Sequence, residues 1–227
     1  IITKKRKSPI GAFVAIVLCL IPISIGFLFP IAKLIYNALT TYHSIDQFMF
    51  AAAMMNTIFL ALAAAAIIVI VSIALIYGER TGNFSYINKL ISLSTIGYAI
   101  PGAIIAVSML YFLSGLNSTF GIFGFGTLIV LVYAYNIRFM ATAYSPIRAA
   151  TDKLGMNSYE TSKLLGYGNL RTFWKAELPL LQPAILTALL VSMVEIMKEL
   201  PLTLILRPFN YETLSTIAYQ YAKNEMV

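Results

Sequence analysis

Three stretches of this chain carry no charged side chain over more than the thickness of a bilayer: Ser8 to Ala32, Gln47 to Gly78, and Leu90 to Ile137. A helix needs roughly 20 consecutive apolar residues to cross the hydrocarbon core, so the third run is long enough for two crossings. With 59% hydrophobic and 11% charged residues, a soluble domain could not hide the apolar surface, and the fold class expected is an all-α polytopic transmembrane bundle. The apolar runs place five spans at about 10–37, 52–77, 90–113, 127–148 and 181–205. A sixth is expected beyond Val227, because a chain that starts at Ile1 and stops in a charged stretch reads as a piece of a longer polypeptide.

The net charge of +7 is distributed as an orientation signal. Lys4-Lys5-Arg6-Lys7 forms a basic segment over residues 1–8, Arg80 and Lys89 lie between the second and third spans, and Arg148, Lys153, Lys163, Arg171 and Lys175 crowd the segment before the fifth. Opposite them stand Lys33, Arg207 and Lys223. The positive-inside rule then expects the N-terminus and the 150–180 segment in the cytoplasm. A nucleic-acid patch is the alternative, disfavoured because the charges sit in short loops beside spans. The basic start followed by an apolar run could also be a signal peptide, but the run is too long and has no A-x-A-like exit. Cys19, the only cysteine, lies within the first span, so no intrachain disulfide can form.

The 150–180 segment is built like a docking element. Asn157 or Ser158 can cap a helix with Glu160 reaching back, Gly166 and Gly168 break it, Asn169 starts a second short helix, and Pro179 opens the fifth span. An amphipathic helix lying in the headgroups, with Tyr159, Leu164, Leu165 and Trp174 inserted, is the alternative. The spacing resembles the cytoplasmic signature of permease subunits of binding-protein-dependent ABC importers: Glu-Ala-Ala, three residues, Gly, nine residues, Ile-x-Leu-Pro. Glu160, Gly166, Leu178 and Pro179 fall in register, while Thr161 and Ser162 replace the alanines and Ala176 the isoleucine. Further likeness lies in Gly97-Tyr98-Ala99-Ile100-Pro101-Gly102, in Arg138-Phe139, and in Glu195-Ile196-Met197-Lys198-Glu199-Leu200-Pro201. Together with the opening Cys19-Leu20-Ile21-Pro22, these are similar to the C-terminal half of ferric iron permeases.

That resemblance implies a non-enzymatic transport subunit working with a second permease half, a cytoplasmic ATPase dimer and an external binding protein. Tyr159, Glu160, Leu164, Leu165, Gly166, Leu178 and Pro179 would form the ATPase contact. ATP with magnesium would sit on that partner and no cofactor on this chain, which has no G-x-x-x-x-G-K-[ST] loop. A permease for thiamine, phosphonate, a polyamine or an oxyanion, and an ion-gradient secondary carrier, are the rival readings. A membrane-embedded enzyme is disfavoured, since His43 is the only histidine and is expected in an outer loop, away from any histidine metal pair, H-E-x-x-H motif or Ser–His dyad.

Within the spans the ionisable residues are the candidates for a translocation path, because buried charge there is costly and faces a partner or a polar route. Glu195, Lys198 and Glu199, spaced i, i+3, i+4, are expected on one face of the fifth helix, as a pathway or as an internal Glu–Lys pair. Arg138, midway along the fourth span, needs a carboxylate from the fifth or must snorkel. Pro101 is expected to break the third span, as a packing kink or a transport site. Glu212, Tyr219 and Glu225 offer hard oxygen that Fe(III) could touch in passing, but no metal ligand set is assigned.

Overall fold

The computed structural model describes residues 9–41, 47–81, 85–120, 128–154, 162, 164 and 166–223, all helix, turn or short connection, with no strand among them. Among the described residues there are ten α-helices: α1 (Pro9–Ile23), α2 (Phe29–Thr41), α3 (Gln47–Thr81), α4 (Ser85–Ile96), α5 (Gly102–Phe120), α6 (Leu128–Leu154), α7 (Asn169–Thr172), α8 (Leu178–Met197), α9 (Pro201–Leu206) and α10 (Leu214–Lys223). Five helical stretches among them are long and apolar enough to cross a membrane: Phe13–Thr40, Gln47–Arg80, Gly102–Thr119, Leu128–Leu154 and Asn169–Met197.

The chain divides into two units. The first carries α1 and α2, joined by a π-helical turn at Ser24–Leu28, and its side chains from Phe13 to Thr40 are almost all exposed. A helix apolar on every side, with none of its best window buried, is built to be covered by lipid or another helix.

The second unit is a bundle around α3, α6 and α8. Thr57, Leu60, Ala61, Ala64, Ala65, Ile68, Ser72 and Ile76 recur at helical spacing along α3, and all are buried. Alanines on such a stripe let backbones come close. Ala143 of α6 and Ala188 and Ser192 of α8 do the same, and Thr142 and Ser192 join across that seam through their hydroxyls, 2.8 Å apart.

Both π-helical turns among the described residues end two residues before a proline: Ser24–Leu28 before Pro30, and Phe173–Glu177 before Pro179. Proline has no N–H and its ring crowds the carbonyl four residues back. Widening the turn takes up that misfit without ending the helix. Pro179 therefore sits within one continuous helical stretch that starts at Asn169, ahead of the 181 expected for the fifth span.

Two other boundaries move. The third span, expected over 90–113 with a break at Pro101, is two helices, α4 and α5, separated by a 3-10 turn at Gly97–Ala99 and by Pro101. Only α5 is long enough to cross, and it runs on to Phe120, into what reads in the sequence as a loop from Ser114. The fifth span, expected to reach 205, stops at Met197; Lys198, Glu199 and Leu200 leave the helix before α9 begins at Pro201.

Candidate functional site: an ionic junction between two broken helices

The two breaks meet at Arg138. Proline disfavours the helical region for the residue before it. Ile100, ahead of Pro101, is accordingly extended (φ −87°, ψ 130°), and its carbonyl lies outside the hydrogen-bond ladder of α5. Arg138 Nη1 donates to that carbonyl at 2.5 Å. Its Nε lies 3.2 Å from Glu199 Oε2, an ion pair without hydrogen-bond alignment.

Glu199 sits in the second break. Its Oε1 accepts from the Leu202 backbone N–H at 3.3 Å, where a carboxylate suits the first turn of α9. Its carbonyl accepts from Thr203 Oγ1 at 2.6 Å and Ser215 Oγ at 3.3 Å. A further tie from α6 to α9 runs through Tyr135 Oη and Thr203 Oγ1, 2.5 Å apart. The Arg138 guanidinium also lies 5.4 Å from the Phe139 ring centroid, within cation–π range.

Glycines make this approach possible. A Cβ on Gly97 would strike the Ile137 carbonyl, and one on Gly102 would strike the Glu199 carboxylate and lie 3.3 Å from the Arg138 guanidinium carbon. The junction is nearly sealed, with the Glu199 side chain 8% exposed and that of Arg138 20%. At 1.5 Å per residue, Arg138 is about 15 Å from the start of α6, within the membrane-spanning stretch. A buried pair of this kind is strongly destabilised when one partner is removed, because the remaining charge is stranded.

The expected common face of Glu195, Lys198 and Glu199 does not form. The helix ends between Glu195 and Glu199, and the three residues separate into two pairs. Lys198 Nζ donates to Glu195 Oε1 at 2.8 Å on the exposed side, which holds the lysine pKa above its ordinary value. Glu199 turns inward to Arg138. Beyond α9, Glu212 pairs with Arg207 and accepts from Thr216 Oγ1 at 2.8 Å and Gln220 Nε2 at 3.3 Å. Burial pushes the Glu212 carboxyl up, but those partners outweigh it and hold it below the usual carboxylate range. The described residues contain no group of three potential His, Cys, Asp or Glu metal ligands, and Tyr219 stands in α10 while Glu225 lies outside them.

Of the 150–180 segment, Tyr159, Glu160 and Leu165 lie outside the described residues. Gly166 has φ +81°, a left-handed turn that glycine adopts without strain. Leu164 is 89% exposed, and Leu170 and Trp174 project from the next turns. Leu178 and Pro179 belong to the continuous helical stretch Asn169–Met197 rather than to a loop stop. At the same end of the bundle, Arg80 pairs with Glu177, and Glu79 with Arg148. In the sequence Arg80 and Arg148 stand out only as orientation signals and Glu79 and Glu177 not at all, since nothing local marks a partner so distant in the chain.

Two interrupted helices tied by a buried charge pair, among helices long and apolar enough to cross a membrane, make this a multi-helix membrane bundle. Residues 83–224 match the binding-protein-dependent transport system inner membrane component, and the chain belongs to that family as a multi-pass inner-membrane protein. It is similar to the Fe(3+)-transport system permease protein FbpB 2 of Haemophilus influenzae, 26% identical over 127 residues. That match covers 56% of this chain and 24% of the relative, so the chain spans well under half of the relative's length.

Proposed function

We propose that this chain is the transmembrane half of an ATP-driven importer that moves ferric iron, delivered by an external binding protein, into the cytoplasm. It pairs with a second permease half and an ATPase dimer that carries ATP and magnesium. The observation carrying this reading is the family match over 83–224, one continuous stretch holding both the Arg138–Glu199 junction and the Gly166 to Pro179 segment. The ferric iron assignment leans on the relative's name together with the motif likeness.

In this reading the N-terminus and the 150–180 segment face the cytoplasm. Tyr159, Glu160, Leu164, Leu165 and Gly166 meet the ATPase, and Leu178 and Pro179 carry its motion into α8. ATP-driven closure of the ATPases favours one of two packings of the bundle through differential contact. Glu195 and Lys198 stand at the outer mouth, while Arg138, Glu199 and Pro101 form the joint behind it.

Gly166→Val tests the ATPase contact. Valine at positive φ is strained, so the turn cannot keep its shape. The expected result is normal membrane insertion with loss of ATPase co-purification and uptake. Normal assembly and uptake in that variant would remove the segment from the contact.

A further inference from the structure

The last turn of α3 holds both legs of the 150–180 segment. Glu79 reaches the incoming leg on α6: it pairs with Arg148 and accepts from Tyr144 Oη at 3.1 Å, while Arg148 is also paired with Asp152 at 3.1 Å. Arg80, the next residue, reaches the outgoing leg by pairing with Glu177, and its Nη2 donates to the Thr151 carbonyl of α6 at 2.9 Å. Tyr77, one turn earlier, meets the Phe173 ring edge-on with centroids 5.0 Å apart.

Adjacent residues of opposite sign thus grip two elements separated by the whole segment. Glu177 is 1% exposed, although it stands among exposed charges in sequence. It lies at the end of the π-helical turn that Pro179 imposes, in helical backbone. We infer that Glu79, Arg80 and Glu177 are positioning residues for transport: they clamp both ends of the ATPase-facing segment to α3, so its displacement moves the bundle as one body.

The physical reason is leverage. A segment held on one leg can swing, and the work of the ATPase then dissipates in the loop. Held on both legs by one helix, it must carry α3, α6 and α8 with it. Burial makes the outgoing grip selective, because Glu177 without Arg80 would be a stranded buried charge.

This inference rests on the proposed ATPase coupling, and its test separates the two. The full permease would be purified with its ATPase, reconstituted in vesicles, and supplied with radiolabelled Fe(III) on its binding protein. Uptake and ATP hydrolysis would be measured together for wild type, Glu177→Gln, Arg80→Gln and the reversed pair Arg80→Glu with Glu177→Arg. The expected result is hydrolysis close to wild type in the single variants with uptake per ATP reduced about tenfold, in the range of site-to-site coupling energies, and most of it regained in the reversed pair. A merely structural pair would lower the yield or heat resistance of the complex and leave uptake per ATP unchanged in what survives. That outcome, or a reversed pair as uncoupled as the singles, overturns the clamp. If Glu177→Gln does not assemble, Glu79→Gln, at a less buried site, is read by the same ratio. Failure of the wild type to couple uptake to ATP would overturn the underlying reading instead.

Discussion

Arg138 satisfies two demands at once: the carbonyl that Pro101 frees at Ile100, and the carboxylate of Glu199. Replacing Arg138 with Gln strands Glu199 in a nearly sealed pocket, where losing one member of a buried pair costs about 3–5 kcal/mol. Glu199→Gln strands the guanidinium instead, but keeps an acceptor for the Leu202 N–H. Each single variant is expected to melt well below wild type in detergent, and the double variant Arg138→Gln with Glu199→Gln to recover part of the loss. Losses that simply add in the double variant would mean that the two residues do not act on each other. The need of Arg138 for a carboxylate is legible in the sequence, because an unpaired charge at mid-span is so costly. Which carboxylate answers it is not, because the choice depends on the break after Met197.

That break illustrates what an element's sequence reveals. Lys198-Glu199-Leu200 reads as a continuing helix by spacing, yet the helix stops at Met197 and restarts as α9 at Pro201, which has no N–H to continue the ladder although Leu200 keeps helical dihedrals. The earlier break is easier to see, since Gly97 and the Pro101-Gly102 pair bracket it, and the expected interruption at Pro101 is where the chain breaks. The π-helical turns went unpredicted even though both prolines are plain in the sequence, because helix widening competes with helix termination and only packing decides. At this scale Pro101→Ala should let Ile100 return toward helical geometry and withdraw its carbonyl from Arg138. The expected outcome is a folded, inserted protein with uptake reduced several-fold and faster proteolysis near the break; unchanged uptake and protection would make the interruption a packing feature.

Over the whole molecule, the spans and the basic end follow from apolar runs and loop charge, and the family match covers the part of the chain where the motifs lie. The pairings that knit the bundle, Arg138 to Glu199, Arg80 to Glu177 and Glu79 to Arg148, join residues far apart in sequence and leave no local periodicity to read. They place one ionic joint within the membrane and another at the basic end. In the proposed cycle, the first keeps the broken helices together while the second receives motion from the ATPase.

The proposed transport cycle depends most directly on its energy source and its cargo. Vesicles holding the complete permease, its ATPase and its binding protein would be loaded with ATP inside or left without it, and radiolabelled Fe(III) uptake followed with proton and sodium gradients collapsed. The account predicts uptake that requires ATP, survives loss of both gradients and is displaced by unlabelled Fe(III) but not by thiamine, phosphonate, polyamine or oxyanion. Uptake driven by an ion gradient without ATP, or ATP-driven transport of one of those other ligands with no movement of iron, would contradict it.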